Sequence, residues 1–335
     1  MAKKPITAML MHPVVRDELF RDDHIQRLER ATDLIDGRAF ASVEDIAPQL
    51  EHLEILITSW GCAPIDAAFV ERCPRLKLIA HLAGSVKGFL DDSVWRRGIM
   101  VVNAVAANAV PVAEFTLAAI LMANKRILQL QQVYAQDRVN RAPWTREAPG
   151  AGNYNKAVGI VGASHVGRLV LQHLQNFDFK ALVYDPYLTP LDARYLGASK
   201  VGLAELLSQS DVVSLHAPLL ADTRHMLGER ELSLMRDGAT LINTARGALI
   251  DPNALLAELS MGRLYAFLDT TEPEELPPTS PLFELPNVFL TPHIAGSLGS
   301  EAERLTDHIV EEIERFTTGR NLKNTVRREH LARLA

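Results

Sequence analysis

The feature that most constrains the fold is a strand, a glycine-containing turn and a helix in direct succession, AVGIVGASHVGRLVLQHLQ at residues 157–175. An apolar run enters the turn, and apolar residues at helical spacing leave it. That context is the one in which a G-x-G-x-x-G frame predicts a dinucleotide site. The frame falls on Gly162, Ser164 and Gly167, so a serine replaces the middle glycine. Taken alone, the motif also fits a tight strand–helix turn that binds nothing.

An acidic residue follows at the spacing that a dinucleotide site requires. Asp185 ends the next apolar run, 18 residues after Gly167 and 23 after Gly162. A carboxylate about 20 residues beyond the turn accepts hydrogen bonds from the adenine ribose hydroxyls. The same charge would repel a 2′-phosphate, so we predict NAD (NADH) rather than NADP. Serine is small and adds a hydroxyl, and we expect the site to tolerate Ser164.

Strand-like runs alternate with helical patterns on both sides of this motif. Before it, apolar runs occupy residues 6–11, 54–60, 76–82 and 99–104. From it onward they are AVGIVG, ALVYDP, DVVSLHAP, ATLINTA, RLYAFLDT and VFLTPH. Alternation of strand and helix predicts α/β layers with parallel sheets. A chain of 335 residues predicts about two such domains.

A long Ala- and Leu-rich segment joins the two series. Residues 110–136 predict one helix with Pro111 in its first turn, where proline is tolerated. The segment is apolar nearly all round, so it must be buried. A homodimer contact and a core within one chain both fit that pattern.

Charge and cysteine content limit the class of partner. The formal charge is −6, from 35 basic and 41 acidic residues, which argues against a nucleic-acid partner. Cys62 and Cys73 are the only cysteines, too few for a disulfide framework or a metal cluster, so we expect a reducing, cytoplasmic setting and no bound metal. No signal peptide and no apolar run of about 18 residues is evident, so we expect no membrane partner.

Four motifs, in order, resemble the D-isomer-specific 2-hydroxyacid dehydrogenases, and most closely the glyoxylate and hydroxypyruvate reductases. They are VGIVGASHVGR, VVSLHAPLLADTRHML, LINTARGALID and FLDTTEPEELPPTSPLFELPNVFLTPHIAGS. The resemblance covers residues 76–300 well and the first 75 loosely. It implies two Rossmann-like or flavodoxin-like domains. An NAD-binding domain, residues 106–299, would be inserted into a substrate (catalytic) domain, residues 1–105 and 300–335, with the substrate between them.

The resemblance also assigns catalytic roles. His293, in TPHIAG, would be the general acid/base, since imidazole gives and takes a proton near neutral pH. Arg246, in NTARG, would grip the substrate carboxylate through a planar guanidinium. Without the resemblance, each could be an ordinary structural or surface residue.

A glutamate should accompany the histidine, and the loop LDTTEPEELPP offers several acids. Glu272 precedes a proline and is the obvious choice. Alignment without gaps to the family's D-V-T-x-P-E-P-L-P instead places Asp269 at the first position and Glu274 at the catalytic one. We therefore predict Glu274, keep Glu272 as the alternative and expect Glu275 to be solvated.

The remaining contacts are carried over residue by residue. The loop after residues 76–82 would hold the substrate carboxylate with the backbone of Gly84, Ser85 and Val86, where Lys87 either adds a charge or faces solvent. Trp144 could border the substrate. The remaining cofactor contacts would be Val112, His165, Val166, His216, Pro218, Thr223, Thr244, Ala245, Asp269 and Gly296, with the catalytic Arg246 and His293 also touching the cofactor.

Two other functions stay open. One is a short 3-phosphoglycerate dehydrogenase, which differs only in its substrate. The other is an NAD-sensing, co-repressor-like binding protein, which can keep the same three catalytic residues. A carboxylate beside the histidine argues against the related formate dehydrogenases, which use a neutral amide there.

Overall fold

The computed structural model describes residues 3–136, 138, 148 and 150–331. These divide into two compact units. One comprises the residues up to Asn108 and those from Ser297 onward, and the other comprises Ala109–Gly296. Both boundaries lie within three residues of the predicted domain limits. Trp144 lies outside the described residues.

The strands are β1 (Ile6–Leu10), β2 (Asp33–Phe40), β3 (Ile55–Thr58), β4 (Leu78–His81), β5 (Met100–Asn103), β6 (Ala157–Val161), β7 (Lys180–Tyr184), β8 (Ser199–Lys200), β9 (Val212–Leu215), β10 (Thr240–Asn243), β11 (Tyr265–Leu268) and β12 (Val288–Leu290). The α-helices are α1 (Pro13–Leu19), α2 (Asp22–Ala31), α3 (Ala67–Arg72), α4 (Ser93–Arg96), α5 (Val105–Asn124), α6 (Ile127–Gln136), α7 (His165–Leu174), α8 (Pro190–Tyr195), α9 (Leu203–Gln209), α10 (Glu229–Ser233), α11 (Pro252–Ser260), α12 (Ala302–Thr317) and α13 (Arg328–Leu331).

The first unit is built on a parallel sheet of order β2-β1-β3-β4-β5. Its central strands β1, β3 and β4 are apolar on both faces because both faces are covered. Along β1, Ala8 and Leu10 face one core, which includes Phe69 of α3. Met9 faces the other core, formed with α1, α2 and α12, where Ile309 is fully buried. This period of two explains why β1 reads as a continuous apolar run.

The second unit is built on a parallel sheet of order β12-β11-β10-β9-β6-β7-β8. Ile160 of β6 packs in the core that contains α7, and Val161 packs in the core that contains α9. Strand order reverses between β6 and β9. In open α/β sheets a ligand binds beyond the carboxyl ends of the strands at such a reversal. The predicted α/β class with parallel sheets is confirmed.

Two strands were not predicted from sequence, and each has a local cause. β2, DLIDGRAF, carries Asp33, Asp36 and Arg38 and lies at the edge of its sheet, so it lacks an apolar run. β8 is only two residues long. The six runs predicted from residue 157 onward all form strands.

The helix predicted over residues 110–136 was wrong in two respects. It is two helices, α5 and α6, separated where Arg126 adopts a positive φ of 54°. The Arg126 guanidinium bonds the Gly238 carbonyl and lies over the Tyr265 ring. In addition, α5 begins at Val105, so Pro111 is inside the helix and not in its first turn.

Among the described residues, α5 is the one helix that is long and apolar enough to cross a membrane, judged by length and composition only. Of its most apolar 18 residues, 44% are buried. Core helices pass the same test. Ala113, Ile120 and Ala123 of α5 pack in the core of the second unit, and the buried Thr116 hydroxyl hydrogen-bonds that of Thr244 at 2.9 Å. These contacts are those of a core helix.

Candidate active site

The glycine turn lies at the strand-order reversal of the second unit. Gly162 follows β6 with φ +97°, and a Cβ there would lie 2.6 Å from the backbone nitrogen of Ala217, which follows β9. A Cβ on Gly167 would lie 2.1 Å from the carbonyl oxygen of Gly162. Both positions therefore require glycine, the first for the turn and the last for the approach of helix to strand.

Ser164 takes a role that a middle glycine could not. It is the N-cap of α7, and its Oγ accepts from the N–H of Gly167 at 3.4 Å. The first-turn N–H groups of a helix, here those of His165 and Val166, lack intrahelical acceptors and favour an anion. Burial lowers the pKa of His165, aided by Arg168, so its ring stays neutral at pH 7. The turn thus fits a pyrophosphate through its backbone.

Asp185 lies beside this turn, at the end of β7. Its Oδ2 accepts from the N–H of Ala163 at 2.7 Å. Its Oδ1 accepts from the N–H groups of Tyr187 (2.8 Å) and Leu188 (3.0 Å). The carboxylate is therefore held against the glycine turn by backbone donors, with lone pairs left over for hydroxyl donors. This geometry fits the ribose role predicted for it.

The segment after β9 is held in place by hydrogen bonds of its own side chains, His216 and Thr223. The His216 ring is buried, lies 2.9 Å from the Ser214 hydroxyl, and burial lowers its pKa to about 3. The His216 N–H donates to the Val161 carbonyl at 2.7 Å, so the residue supports the segment from inside the unit. The Thr223 hydroxyl donates to the Pro218 carbonyl at 2.6 Å and accepts from the N–H of Leu220 at 2.8 Å, which closes the following turn.

His293 is carried by a loop that Asp269 organises. The Asp269 side chain is buried and accepts from the N–H groups of Ile294 (2.8 Å) and Ala295 (2.9 Å) and from the Thr291 hydroxyl (2.6 Å). The N–H of His293 donates to the carbonyl of Asp269 at 2.9 Å, and His293 has a φ of +56°. Asp269 therefore orders the histidine loop, a role that the sequence did not indicate.

Glu274 is the carboxylate that contacts the histidine. Its Oε1 hydrogen-bonds Nδ1 of His293, and the two side chains are 53% and 48% exposed. A carboxylate beside Nδ1 accepts a hydrogen bond from the Nδ1–H group. Nε2 of His293 is then the ring nitrogen that can exchange a proton with another molecule. The pair predicted from the alignment is thus in contact.

Glu272, the alternative, points elsewhere. Its Oε2 lies 2.7 Å from Nε2 of His225, and its Oε1 bonds the guanidinium of Arg224. These partners lower the pKa of Glu272, the hydrogen bond from His225 most of all. Glu275 is exposed, as predicted.

Arg246 follows β10 in a segment shaped by its neighbours. The Asn243 side-chain amide donates to the Arg246 carbonyl at 2.8 Å, and its oxygen accepts from the N–H of Ala245 at 3.1 Å. The Arg246 guanidinium donates to the Ala245 carbonyl at 2.6 Å. A Cβ on Gly247 would lie 2.0 Å from the carbonyl carbon of Thr271, so this segment lies directly against the glutamate loop.

The three predicted catalytic residues therefore follow three neighbouring parallel strands. Arg246 follows β10, Glu274 follows β11 and His293 follows β12. The carboxyl ends of parallel strands meet at one edge of a sheet, where α/β proteins place their sites. Val112 and Thr244 are buried in the same unit, and Gly296 is the last residue of that unit.

The predicted substrate loop lies in the first unit, after β4. The Asn103 side chain donates to the carbonyl of Gly84 at 2.7 Å, and Ser85 Oγ accepts from the N–H of Lys87 at 3.3 Å. In the described part of the chain, the backbone N–H groups of Gly84, Ser85 and Val86 donate to no acceptor. Gly84 and Ser85 are partly exposed, so their N–H groups are available to an anion, whereas Val86 is 2% exposed.

His81, at the end of β4, supports this loop and was not singled out from the sequence. Its ring is buried, lies 2.9 Å from the Thr58 hydroxyl through Nδ1, and stacks near Phe89. Burial lowers its pKa to about 4, opposed by a hydrogen bond to the backbone of Ser85. Only its position directly before the loop could have drawn attention to it.

A glycine turn at a strand-order reversal, with a histidine–carboxylate pair at the same sheet edge, defines a dinucleotide-dependent oxidoreductase. Residues 117–295 match the family model of the D-isomer specific 2-hydroxyacid dehydrogenase, NAD binding domain. The chain belongs to the D-isomer-specific 2-hydroxyacid dehydrogenase family. The predicted family, its dehydrogenase class and its NAD cofactor are confirmed.

Similar proteins agree with this assignment. A glyoxylate reductase of Korarchaeum cryptofilum is 33% identical over 79% of this chain and 80% of its own length. A D-3-phosphoglycerate dehydrogenase of Methanocaldococcus jannaschii is 30% identical over 96% of this chain, which spans only 59% of that relative. A crystal structure of a protein from Thermus thermophilus, 30% identical, superposes with a TM-score of 0.74 over 96% of this chain and all of its own.

Proposed function

We propose that the protein reduces a small 2-keto acid of the glyoxylate or hydroxypyruvate type to its D-2-hydroxy acid with NADH, and catalyses the reverse reaction. The hydrogen bond between His293 Nδ1 and Glu274 carries this proposal. Reduction of a ketone needs a proton donor at the carbonyl oxygen, and a protonated imidazole with a free Nε2 is suited to that role.

Glu274 acts through the histidine. Its carboxylate accepts a hydrogen bond from Nδ1 and so orients the ring, and Nε2 then delivers the proton to the carbonyl oxygen. In the oxidation direction, Nε2 of the neutral ring takes the hydroxyl proton. Because the same ring acts in both directions, its orientation must be held throughout the cycle.

Arg246 binds the substrate in this scheme. In the described part of the chain its guanidinium has one hydrogen bond, to Ala245, so most of its N–H groups can donate to a carboxylate or to the polarised carbonyl oxygen. A guanidinium suits this role because it binds a carboxylate through two parallel hydrogen bonds. From the family resemblance, we keep Gly84, Ser85, Val86 and Lys87 as predicted contacts of the substrate carboxylate.

NAD, when bound, supplies the hydride acceptor or donor. The residues that fit it are the glycine turn with Gly162 and Gly167, the N-terminus of α7, and Asp185 for the ribose hydroxyls. Val112, Thr244, Ala245, Asp269 and Gly296 are assigned to the nicotinamide side.

The substrate class rests on the relatives. Two relatives named glyoxylate reductase, from Korarchaeum cryptofilum and Thermococcus litoralis, match about four-fifths of this chain and of their own lengths. A short 3-phosphoglycerate dehydrogenase is the second candidate. Two relatives named D-3-phosphoglycerate dehydrogenase are 30% and 31% identical to this chain, although the chain spans only 59% and 53% of their lengths. An NAD-sensing binding protein is the third.

We also propose a cytoplasmic homodimer. The exposed apolar residues of α6, Ile127 and Tyr134, support a contact between copies. The unpaired thiols of Cys62 and Cys73 suit a reducing compartment. Light scattering of the purified protein at several concentrations tests the dimer.

The enzymatic proposal is tested by NADH oxidation with a panel of 2-keto acids. The panel contains glyoxylate, hydroxypyruvate, pyruvate, phenylpyruvate and phosphohydroxypyruvate. We expect the highest kcat/KM with glyoxylate or hydroxypyruvate. A preference for phosphohydroxypyruvate would favour the second candidate, and NADH binding without turnover on any acid would favour a sensor.

A further inference from the structure

Three side chains close to the catalytic pair have no role in the scheme above. Arg224 and His225, which follow β9 along the chain, both contact the carboxylate of Glu272. We call these three side chains the Glu272 clamp. Glu272 lies only two residues before Glu274, on the same loop.

We propose that the Glu272 clamp positions Glu274 against His293, and that Glu272 is therefore a positioning residue for the acid/base pair. This inference rests on the proposed function of His293 and deepens it. It assigns different tasks to two glutamates of one loop: Glu274 contacts the histidine, and Glu272 holds the loop.

The pair needs external support because it is exposed. The side chains of Glu274 and His293 are 53% and 48% exposed. An exposed ion pair gains little from its own attraction, because holding two side chains in one geometry costs conformational entropy. Thr271 supplies some local order, since its hydroxyl donates to the Pro273 carbonyl at 2.8 Å. The rest of the restraint must come from outside the loop.

The clamp supplies that restraint through Glu272, which is better buried than Glu274. The Glu272 side chain is 25% exposed and uses both carboxylate oxygens, one on Arg224 and one on His225. His225 is itself fixed, because its N–H donates to the Ala248 carbonyl at 2.8 Å. The lowered pKa of Glu272, due first to His225 and then to Arg224, keeps the carboxylate charged at neutral pH.

The clamp also connects the glutamate loop to the arginine segment. Gly247 lies against Thr271 so closely that a Cβ would be 2.0 Å from its carbonyl carbon. His225 bonds Ala248, one residue beyond Gly247. The segment that carries Arg246 is thus hydrogen-bonded to His225 and packed against the glutamate loop. The contact of Glu272 with His225 links that loop to His225 directly.

Among the described residues, few charged groups contact the Glu272 clamp or the Glu274–His293 pair. Asp251 Oδ2 lies 3.8 Å from Nδ1 of His225, and Glu272 occupies the other ring nitrogen. Around His293 the charged groups are Glu274 at Nδ1 and the buried Asp269, which bonds the backbone of the same loop. Removal of Glu272 therefore changes the histidine mainly through Glu274.

The test compares alanine variants of two glutamates that flank Glu274. Glu272→Ala removes both clamp contacts, and Glu275→Ala, at an exposed position on the same loop, is the matched control. Glu272→Gln retains a side-chain oxygen as an acceptor. We measure kcat for 2-keto acid reduction against pH, and we follow the His293 ring by NMR in protein labelled at histidine, assigned with His293→Asn.

We expect Glu272→Ala to lower kcat on the order of tenfold, because small displacements of catalytic groups are costly. We also expect the Nδ1–H proton signal of His293 to move toward its position in Glu274→Gln, because the hydrogen bond to Glu274 is weakened. Glu272→Gln should recover part of both effects, and Glu275→Ala should show neither. In a Glu274→Gln background, Glu272→Ala should not move this signal further, because Glu272 acts through Glu274.

Two results would overturn the proposal. One is an Nδ1–H signal of His293 in Glu272→Ala that is the same as in the wild type. The other is an equal shift of that signal in the Glu274→Gln background, which would mean a direct or merely structural effect. Should Glu272→Ala not fold, Arg224→Ala at a half-exposed position takes its place. The NMR measurement requires no turnover, so a wild type inactive on every acid would refute the proposed function and leave the clamp to be decided by NMR.

Discussion

Acid should destabilise the first unit through His81, and His81→Phe should remove that effect. His81 is 4% exposed, and burial lowers its pKa from 6.5 to about 4. Between these values the unfolded chain binds a proton that the folded chain does not. Stability therefore falls as the pH falls below 6.5, and this loss ends near pH 4.

The size of the effect follows from the pKa difference. One proton contributes about 1.4 kcal/mol per pH unit, so roughly 2 kcal/mol of unfolding free energy is lost between neutral pH and about pH 5. The phenylalanine of the variant cannot titrate, although it also leaves the Thr58 hydroxyl without its partner. The destabilisation caused by His81→Phe should thus be about 2 kcal/mol smaller at the lower pH.

Urea unfolding followed by tryptophan fluorescence measures this difference. Trp60 and Trp95 both lie in the first unit with His81. Trp144→Phe in every variant restricts the signal to them, which matters because two units need not unfold together. His52→Phe, at an exposed histidine of the same unit, is the control. An energy difference between wild type and His81→Phe that is constant with pH would refute the reasoning.

Three further substitutions test other parts of the second unit. Glu274→Gln should lower kcat on the order of 100-fold with little change in the KM for NADH, because it removes the charge beside the acid/base; an unchanged kcat in stopped-flow assays would contradict this. Gly247→Ala should lower both the melting temperature and kcat, because the new Cβ would collide with the Thr271 backbone. Gly262→Ala is the control: there is open space around this residue, so the variant should lose only the stability that its positive φ costs. Ser164→Ala should lower stability by about 1 kcal/mol through loss of the α7 N-cap, measured by thermal unfolding without ligand; no change would mean that the weak 3.4 Å bond contributes nothing.

Much of the architecture could be predicted from sequence because its signals are local. The glycine turn, the strand before it and the acid after it lie within residues 157–185. Buried parallel strands are continuous apolar runs, so the six from residue 157 onward were recognisable. The edge strand β2 and the two-residue β8 lack such runs. The break at Arg126 depends on Gly238 and Tyr265, which are distant in sequence.

The catalytic residues were identified from family resemblance, and the structure added their partners. The roles proposed for Arg246, Glu274 and His293 remain predictions, while the contact of Glu274 with His293 is a structural fact. Asp269 was expected beside the cofactor, and it also orders the histidine loop. The only sequence signal for His81 was its position before the predicted substrate loop, because residue type alone does not show that a histidine is buried.

The sequence by itself determined that one loop carries several acids and that a histidine follows it. The family alignment favoured Glu274, but only the tertiary structure shows that Glu274 contacts His293 and that Glu272 contacts His225. Glu272 pairs with His225, 47 residues earlier, and Glu274 pairs with His293, 19 residues later. Local sequence cannot distinguish carboxylates two residues apart on an irregular loop. The parallel sheet can, because it brings the ends of β10, β11 and β12 to one edge and so fixes which side chains are within reach.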